Sequence, residues 1–165
     1  MSTKVSIHFV RDALDKHKWT GPVIDLGAGS EAKDYSHLFP TETYFQLDLL
    51  PEPTIKNRIC ANLLNMPQVP SNTYGVVLLL ETLEHVANPF LAFKEAARIL
   101  RHGGLFICTT VHCWPMHKHP KDYWRFLPDG LDFLCASFGL LPYYVFMDTK
   151  SAIQPGHCCV AAIKS

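Results

Sequence analysis

The chain alternates between short, continuously apolar runs and segments whose apolar residues recur with helical spacing. The run Gly75–Leu80 (GVVLLL) is typical of a strand buried on both faces of a parallel sheet. Helical spacing is clearest over residues 4–17 and over Pro89–Leu100. Five strands are predicted, at Pro22–Leu26, Thr43–Leu47, Ile55–Cys60, Gly75–Leu80 and Leu105–Thr110.

The remaining segments complete a doubly wound pattern. Two more helices are predicted, a short one from Tyr35 to Phe39 that ends at Pro40 and another over Leu127–Phe138. Two last strands are expected near Leu141–Met147 and His157–Ile163. Because crossover helices join successive strands, we expect a single-domain α/β fold, a Rossmann-like and mostly parallel sheet of about seven strands with a closing antiparallel pair.

Two segments depart from this pattern. The connection Leu63–Thr73 contains two prolines and is too short for a full helix, so one face of the sheet is expected to be thinly covered. The pair Gly103-Gly104 is expected to end the Pro89–Leu100 helix before the fifth strand begins.

Composition narrows the classes of partner. A chain of 165 residues suits one domain, and its 15 basic and 15 acidic residues leave no overall field to attract nucleic acid or a membrane surface. No apolar run approaches the roughly 20 residues that span a bilayer, and a secretion signal is not evident, so we expect a cytoplasmic protein. The six cysteines include no CxxC pair and are expected to be reduced and mostly buried. A small-molecule substrate fits these properties.

The stretch Val23–Ser30 (VIDLGAGS) is typical of a strand that turns sharply towards a helix beside a nucleotide. Gly27 and Gly29 permit a positive φ and a close approach to a ligand. The spacing GxGxxA, with Asp48 about 20 residues on, also fits an NAD(P)-binding turn. A pyrophosphate would lie unfavourably beside Asp25, whereas the ammonium and sulfonium of S-adenosylmethionine (SAM) would be attracted to it.

The same turn resembles the first motif of class I SAM-dependent methyltransferases. The segment Leu83–Val86 (LEHV) resembles the motif that follows the fourth strand in that family, and Asp122–Phe126 (DYWRF) resembles a loop of a small subset of it. Members of this subset resemble enzymes of glycan and secondary-metabolite assembly. The resemblance therefore implies that residues 1–165 form a minimal methyltransferase domain that uses SAM, with a sugar or secondary-metabolite oxygen or nitrogen favoured as the acceptor.

The resemblance and the predicted strand ends together suggest the residues that bind the cofactor. Asp48 would hold the ribose hydroxyls, and Asn62 would accept from the adenine amino group. For both residues a plain role in a turn is the alternative. The full set of candidates is Asp25, Gly27, Gly29, Asp48, Leu49, Asn62, Leu63 and Glu81.

The segment after the fourth strand also permits a metal site. Spacings of three and four bring Glu81, Glu84 and His85 close together, and such a set could bind Mg²⁺ or Zn²⁺. The competing interpretation is that Glu84 and His85 support the entry to the following helix. We expect no metal.

The segment Val111–Phe126 is predicted to form the acceptor side of the site. Three of its residues are candidate catalytic groups, because imidazole titrates near neutrality and phenol can exchange a proton: His117, His112 and Tyr123. Four others are candidates for binding substrate: Trp114, Asp122, Trp124 and Arg125.

Two structural alternatives apply to the same segment. Trp124 could instead be a packing anchor, with Asp122 and Arg125 as an internal tie. A zinc site of His112, Cys113, His117 and His119 is a further alternative, although adjacent His and Cys chelate poorly.

Two other functional classes remain open. Many family members carry a third glycine where this chain has Glu31, and few residues are left for a substrate lid, so a SAM-binding regulatory or partner protein without transferase activity is the main alternative. An NAD(P)-dependent oxidoreductase is the other. A homodimer is possible if a second subunit closes the pocket.

Overall fold

The computed structural model describes residues 4–29, 35–40, 43–118, 121–148 and 156–165, and within these ranges one seven-stranded sheet dominates. The strands are β1 Val23–Leu26, β2 Tyr44–Asp48, β3 Arg58–Cys60, β4 Tyr74–Leu80, β5 Leu100–Cys113, β6 Leu140–Met147 and β7 Gly156–Lys164. The helices are α1 Lys4–Lys16, α2 Pro89–Ile99 and α3 Pro128–Ser137, with 3₁₀ turns at Ser36–Leu38 and Leu83–His85.

The order of strands across the sheet is β3-β2-β1-β4-β5-β7-β6. Strands β1 to β5 pair in parallel, and β7 runs antiparallel to both β5 and β6. The predicted doubly wound fold with a closing antiparallel pair is confirmed. The order reverses between β1 and β4, and in sheets of this kind ligands bind outside the carboxyl ends of the strands at that reversal.

Two apolar layers hold the helices on the sheet. On one face α1 buries Phe9 and Val10 against alternate residues of the strands, and on the other α2 buries Phe93 and α3 buries Leu131. All seven residues of β4 are buried, since helices or loops cover both of its faces. The apolar run GVVLLL is thus the central strand that the sequence predicts.

The third connection is abbreviated as predicted. No helix forms between Ala61 and Thr73, and β3 has only three residues, of which Arg58 and Ile59 are half-buried and Cys60 is exposed. The predicted third strand began at Ile55 and is too long. Asn57 has a φ of +62°, a left-handed conformation that delays the start of β3 to Arg58.

Strand β5 is longer at both ends than the predicted Leu105–Thr110. Leu100 pairs with Tyr74 directly after α2. The register then shifts, so that Val76 pairs with Leu105. Gly103 adopts a φ of +70° within this irregular stretch, so the glycine pair shapes a bulge and does not end a helix at Leu100. At the other end, pairing with β7 extends β5 to Cys113.

Helix α3 begins at Pro128, although its N-cap residue Leu127 makes no side-chain cap hydrogen bond. Proline at the first helical position and the burial of Leu131 and Leu134 support the helix in place of a capping side chain. No helix in the described part of the chain is both long and apolar enough to cross a membrane. The cysteines are free thiols, four of which are buried: Cys108, Cys135, Cys158 and Cys159.

Candidate active site

A cleft of about 1070 Å³ opens at the carboxyl ends of β1, β2 and β4. Seven of the eight predicted cofactor residues line it: Gly27, Gly29, Asp48, Leu49, Asn62, Leu63 and Glu81. On its other side the lining includes Trp114, His117 and Tyr123. The fold therefore brings the predicted cofactor residues and part of the predicted acceptor segment to one cavity, as expected at the reversal of the strand order.

The turn after β1 depends on glycine for two different reasons. Gly27 and Gly29 have φ values of +77° and +74°, a region that side chains disfavour. A Cβ on Gly27 would also lie 2.3 Å from Cγ2 of Thr82, whereas one on Gly29 would meet nothing within 4 Å. Thr82, whose hydroxyl donates to the carbonyl of Gly27 at 3.2 Å, thus locks the turn against the end of β4. The sequence contained no signal for this role of Thr82.

Replacing Gly27 by alanine is expected to lower the free energy of unfolding by about 1–3 kcal/mol or more, because strain and a clash with Thr82 add. Gly130→Ala is the matched control, since its added Cβ meets nothing within 4 Å and it lies in the first turn of α3. Urea unfolding of both variants measures the difference. Equal stabilities would contradict the tight packing of Gly27 against Thr82.

Asp48 is held at the end of β2 with its carboxylate in the cleft. The backbone N–H of Gly29 donates to its Oδ2 at 2.8 Å, and the guanidinium of Arg58 lies 3.8 Å from the same oxygen. The side chain keeps one fifth of its surface exposed. An acidic residue in this position can accept hydrogen bonds from two adjacent hydroxyls.

The far end of the cleft is apolar. Leu49 and Leu50 are 62% and 66% exposed there, and the buried Leu63 also lines the cleft. Asn62 Oδ1 accepts from the N–H of Leu64 at 2.9 Å, which is the Asx turn that the sequence left open as an alternative. Its amide nitrogen carries two further donors, so the turn does not prevent contact with a ligand.

Asp25 is the one predicted cofactor residue outside the cleft lining. Only 2% of its surface is exposed, and it accepts a hydrogen bond from the hydroxyl of Tyr44 at 2.9 Å. Its charge predicted direct contact with the cofactor. The buried position instead makes Asp25 a support at the base of the glycine turn.

Glu81 forms the centre of a buried polar cluster at the end of β4. Ser6 and Thr109 donate to its Oε1 at 2.9 and 2.7 Å, and His157 Nε2 lies 3.2 Å from its Oε2. Burial opposes the charged carboxylate, but the hydrogen bonds and the charge of His157 outweigh it and hold the pKa of Glu81 below its usual value. Glu81 also has a φ of +49°, which marks it as a constrained residue.

Sequence reasoning missed Ser6 and His157 as members of this cluster. Ser6 is 75 residues from Glu81 along the chain and lies on α1. His157 belongs to β7. Burial lowers the pKa of His157, but the hydrogen bond and the charge of Glu81 raise it by more, so that the pKa lies above the usual value. Only the packing of α1 and β7 against β4 and β5 brings these groups together.

Residues 121–124, after β5, form hydrogen bonds with the 3₁₀ turn at Leu83–His85 and with Val86 directly after it. The N–H of Tyr123 donates to the carbonyl of Glu84 at 2.8 Å, the indole of Trp124 donates to the carbonyl of Val86 at 2.9 Å, and His85 Nδ1 contacts the carbonyl of Lys121. These bonds fold the segment back over the cleft. His117 and Tyr123 reach the cavity as a result.

Four residues of the predicted acceptor side do not line this cleft: His112, Asp122, Trp124 and Arg125. His112 is on β5, where its Nε2 hydrogen-bonds the carbonyl of Asp148 at 2.8 Å and its ring covers Gly156. The extension of β5 to Cys113 explains its position. Trp124 lines a separate shallow apolar groove beside Phe133.

Asp122 and Arg125 form the internal tie that the sequence left open as an alternative. The guanidinium of Arg125 donates to both oxygens of Asp122 and holds the pKa of that carboxyl well below its usual range. Asp122 also accepts from the backbone N–H of His117 at 2.9 Å. The pair therefore fixes the position of His117 and does not line the cleft itself.

The metal-ligating side chains group differently from either alternative raised by the sequence. Glu84, His85 and His117 bring their ligand atoms within 4.8 Å of one another, and they are the one such group among the described residues. Glu81 belongs instead to the cluster with His157. His119, part of the second alternative, lies outside the described residues.

Residues 24–108 match the family described as the methyltransferase domain. The chain belongs to this family. The predicted resemblance to class I SAM-dependent methyltransferases is confirmed, and the matched residues run from β1 into β5 and include the glycine turn, Asp48 and the LEHV segment.

Curated relatives of this methyltransferase domain match over short stretches. A ubiquinone biosynthesis O-methyltransferase of Maricaulis maris is 37% identical over 57 residues, 34% of this chain and 21% of the relative. One of a Ruegeria species is 38% identical over 50 residues, 30% of this chain and 18% of the relative. The matched stretch thus spans about a fifth of the length of these relatives.

Solved structures of low sequence identity share the fold. Geranyl diphosphate C-methyltransferase from Streptomyces coelicolor, solved with Mg²⁺, geranyl diphosphate and S-adenosyl-L-homocysteine, superposes with a TM-score of 0.73 at 15% identity and covers 98% of this chain and 78% of its own. A Burkholderia thailandensis 1,6-didemethyltoxoflavin-N1-methyltransferase with bound S-adenosylhomocysteine superposes with a TM-score of 0.74 at 15% identity, and the match covers 98% of this chain and 77% of the other. The cyclase SpnF superposes with a TM-score of 0.72 at 12% identity, and the match covers 96% of this chain and 81% of the other. A cyclase among them indicates that the fold alone does not determine the reaction.

Proposed function

We propose that this protein binds SAM in the cleft and transfers its methyl group to a small-molecule acceptor. The observation that carries the proposal is that the Gly27–Gly29 turn, the carboxylate of Asp48 and the side chains of His117 and Tyr123 line one cavity. A sugar or secondary-metabolite oxygen or nitrogen is the favoured acceptor. The curated relatives are named as O-methyltransferases, which supports oxygen as the accepting atom.

The cofactor lies along the ends of β1 and β2 in this proposal. The methionine part packs against the glycine turn, where no side chain intervenes, and the ribose hydroxyls donate to Asp48. The adenine contacts the exposed leucines, Leu49 and Leu50, and the Asn62 turn. Glu81 lies at the methionine end of the cofactor, because the next residue, Thr82, hydrogen-bonds the glycine turn.

Methyl transfer is an in-line displacement in which the acceptor forms a bond to the methyl carbon as the bond from that carbon to the sulfonium breaks. The protein contributes chiefly by aligning the two atoms and by excluding water. Trp114, His117 and Tyr123 are the side chains that would hold the acceptor opposite the sulfonium. A hydroxyl acceptor must also lose its proton, whereas a more basic nitrogen can react first and lose its proton later.

Isothermal titration calorimetry with SAM, S-adenosylhomocysteine and NAD tests this proposal. We expect both sulfur compounds to bind and NAD to show no heat. A screen of hydroxylated and amino acceptors with labelled SAM then tests turnover. Binding without turnover on any acceptor would favour a regulatory protein, and binding of NAD alone would favour an oxidoreductase.

Replacing Asp48 by alanine is expected to weaken S-adenosylhomocysteine binding by about 1.5–3 kcal/mol, or roughly 10- to 150-fold, because two charge-assisted hydrogen bonds are lost. Asp132→Ala, at an exposed position on α3 that does not line the cleft, is the matched control. Calorimetry measures both variants. An unchanged dissociation constant for Asp48→Ala would remove the ribose assignment.

A further inference from the structure

Three potential ligand atoms face one another on the acceptor side of the cleft. Glu84 Oε1 lies 3.9 Å from His85 Nε2 and 4.0 Å from His117 Nε2, and all three atoms lie within 4.8 Å of one another. A metal bound at about 2.1 Å from each atom in tetrahedral geometry needs separations of about 3.4 Å. Small side-chain rotations are enough to bring the three atoms onto one ion.

The outer contacts of both imidazoles orient them for this role. His85 Nδ1 contacts the carbonyl of Lys121, and His117 Nδ1 lies 3.2 Å from the carbonyl of Pro115 and 3.4 Å from Asp122 Oδ2. A carbonyl or carboxylate oxygen can only accept, so these contacts favour the tautomer with its proton on Nδ1, which leaves Nε2 of each ring on the side of Glu84 and able to bind a metal. Histidines that bind metals in proteins usually make this contact to a carbonyl or a carboxylate.

The carboxylate is held in the same way. The hydroxyl of Thr110 donates to Glu84 Oε2 at 2.8 Å and so directs Oε1 towards the two histidines. Glu84 itself is buried with 1% of its surface exposed, while His85 and His117 border the cleft. A buried carboxylate and two oriented imidazoles leave the remaining coordination positions open to the cavity.

We propose that Glu84, His85 and His117 form a binding site for one divalent transition-metal ion, of the zinc class, on the acceptor side of the cleft. Neutral imidazole suits Zn²⁺ and its neighbours, whereas Mg²⁺ prefers oxygen ligands alone. Two nitrogens and one oxygen therefore favour Zn²⁺ over Mg²⁺. The proposal replaces the expectation of a metal-free site drawn from the sequence.

The role of the ion rests on the proposed function. An ion with open positions facing the cavity would coordinate an oxygen of the acceptor and lower the pKa of that hydroxyl. The acceptor oxygen then forms its bond to the methyl carbon, the carbon–sulfur bond breaks to leave a neutral thioether, and the hydroxyl proton passes to solvent. Acceptors with a hydroxyl beside a second oxygen donor would suit such a site best.

The test uses the untagged full chain, freed of metal by dialysis against a chelator. Calorimetric titration with Zn²⁺ and separately with Mg²⁺ measures the stoichiometry and affinity, and Co²⁺ reports coordination through its visible absorption. We expect one equivalent of Zn²⁺ and at least a hundredfold weaker binding of Mg²⁺. His117→Ala and Glu84→Gln are each expected to weaken Zn²⁺ binding by about a hundredfold or more.

Two matched controls guard against other sites. His102→Ala removes an exposed histidine outside the cleft, and Cys60→Ser removes an exposed thiol. Neither should change the affinity for Zn²⁺. His117 is more accessible than Glu84, so His117→Ala tests the site even where the buried Glu84→Gln fails to fold.

Each outcome decides the proposal. Absence of Zn²⁺ binding, tighter Mg²⁺ binding, or Zn²⁺ binding that survives His117→Ala and is lost in Cys60→Ser would overturn it and leave an ordinary imidazole–carboxylate cluster. S-adenosylhomocysteine affinity measured on the same samples tests the proposed function independently. A parent protein that binds S-adenosylhomocysteine but not Zn²⁺ would refute the metal site alone.

Discussion

His117→Ala is expected to lower kcat for methyl transfer by about 10²–10⁴-fold while the dissociation constant of S-adenosylhomocysteine stays within about threefold. His117 lines the acceptor side of the cleft, where it lies beside Glu84 and Asp122. An interaction made with the acceptor in the transition state lowers kcat and spares cofactor binding. Steady-state kinetics and calorimetry on the same samples measure the two quantities.

The pH dependence of this defect tests whether His117 helps the acceptor to lose its proton. A metal ligand and a general base would both help a hydroxyl acceptor to lose its proton, so in either role the defect should shrink at high pH, where the hydroxyl ionises unaided. A defect that stays constant as the pH rises would show that His117 only positions the acceptor, and that result would contradict both roles. His102→Ala, at an exposed position that does not line the cleft, is the control for unspecific effects.

Glu81→Ala is expected to lower the free energy of unfolding by about 3–5 kcal/mol. The change leaves His157, of which 3% is exposed, without its carboxylate partner in a buried site. It also removes the acceptor of the Ser6 and Thr109 hydroxyls. Urea unfolding measures the loss, and Asp132→Ala, on the exposed face of α3, should change stability by less than about 0.5 kcal/mol.

The contribution of the Glu81–His157 pair should depend on pH in two directions. The lowered pKa of Glu81 means that its contribution is present above the ordinary value of about 4.3 and is lost as the pH falls through the folded-state value. The raised pKa of His157 means that its contribution is complete below about 6.5 and is lost as the pH rises through the folded-state value. The pair therefore stabilises most between about pH 4.3 and 6.5.

Glu81→Gln tests this pH dependence with little change of shape. Glutamine can still accept hydrogen bonds from Ser6 and Thr109, but it carries no charge to raise the pKa of His157. Urea unfolding from about pH 5 to 9 should show a flatter profile than that of the parent protein. Parallel profiles for the two proteins would exclude Glu81 and His157 as a coupled pair.

The central part of the fold could be predicted from local patterns. The GVVLLL run identified β4, and the VIDLGAGS turn identified the edge of the sheet where the cleft opens. Parallel strands end at one edge, so the short-range pattern also predicted that Asp48 and Glu81 share the cleft with that turn. These features depend on burial and on glycine backbone freedom, both of which act within a few residues.

Boundaries and bulges were less predictable. Strand β5 continues to Cys113 because β7 pairs with it, and β7 lies more than 40 residues further along the chain. That pairing moved His112 from a predicted catalytic loop onto a strand behind the cleft. A residue that alternates along a strand can face either side, and the neighbouring strand decides the register.

By itself, then, the sequence determined the fold class, the glycine turn and the identity of the cleft, because each depends on periodicity or on the steric freedom of single residues. Only the tertiary structure decided the partners of the charged groups. Glu81 pairs with His157 and Ser6, Asp122 with Arg125, and Glu84 with two histidines from different segments. Electrostatic and hydrogen-bond partners act over a few ångströms in space, and chain separation carries little information about that distance.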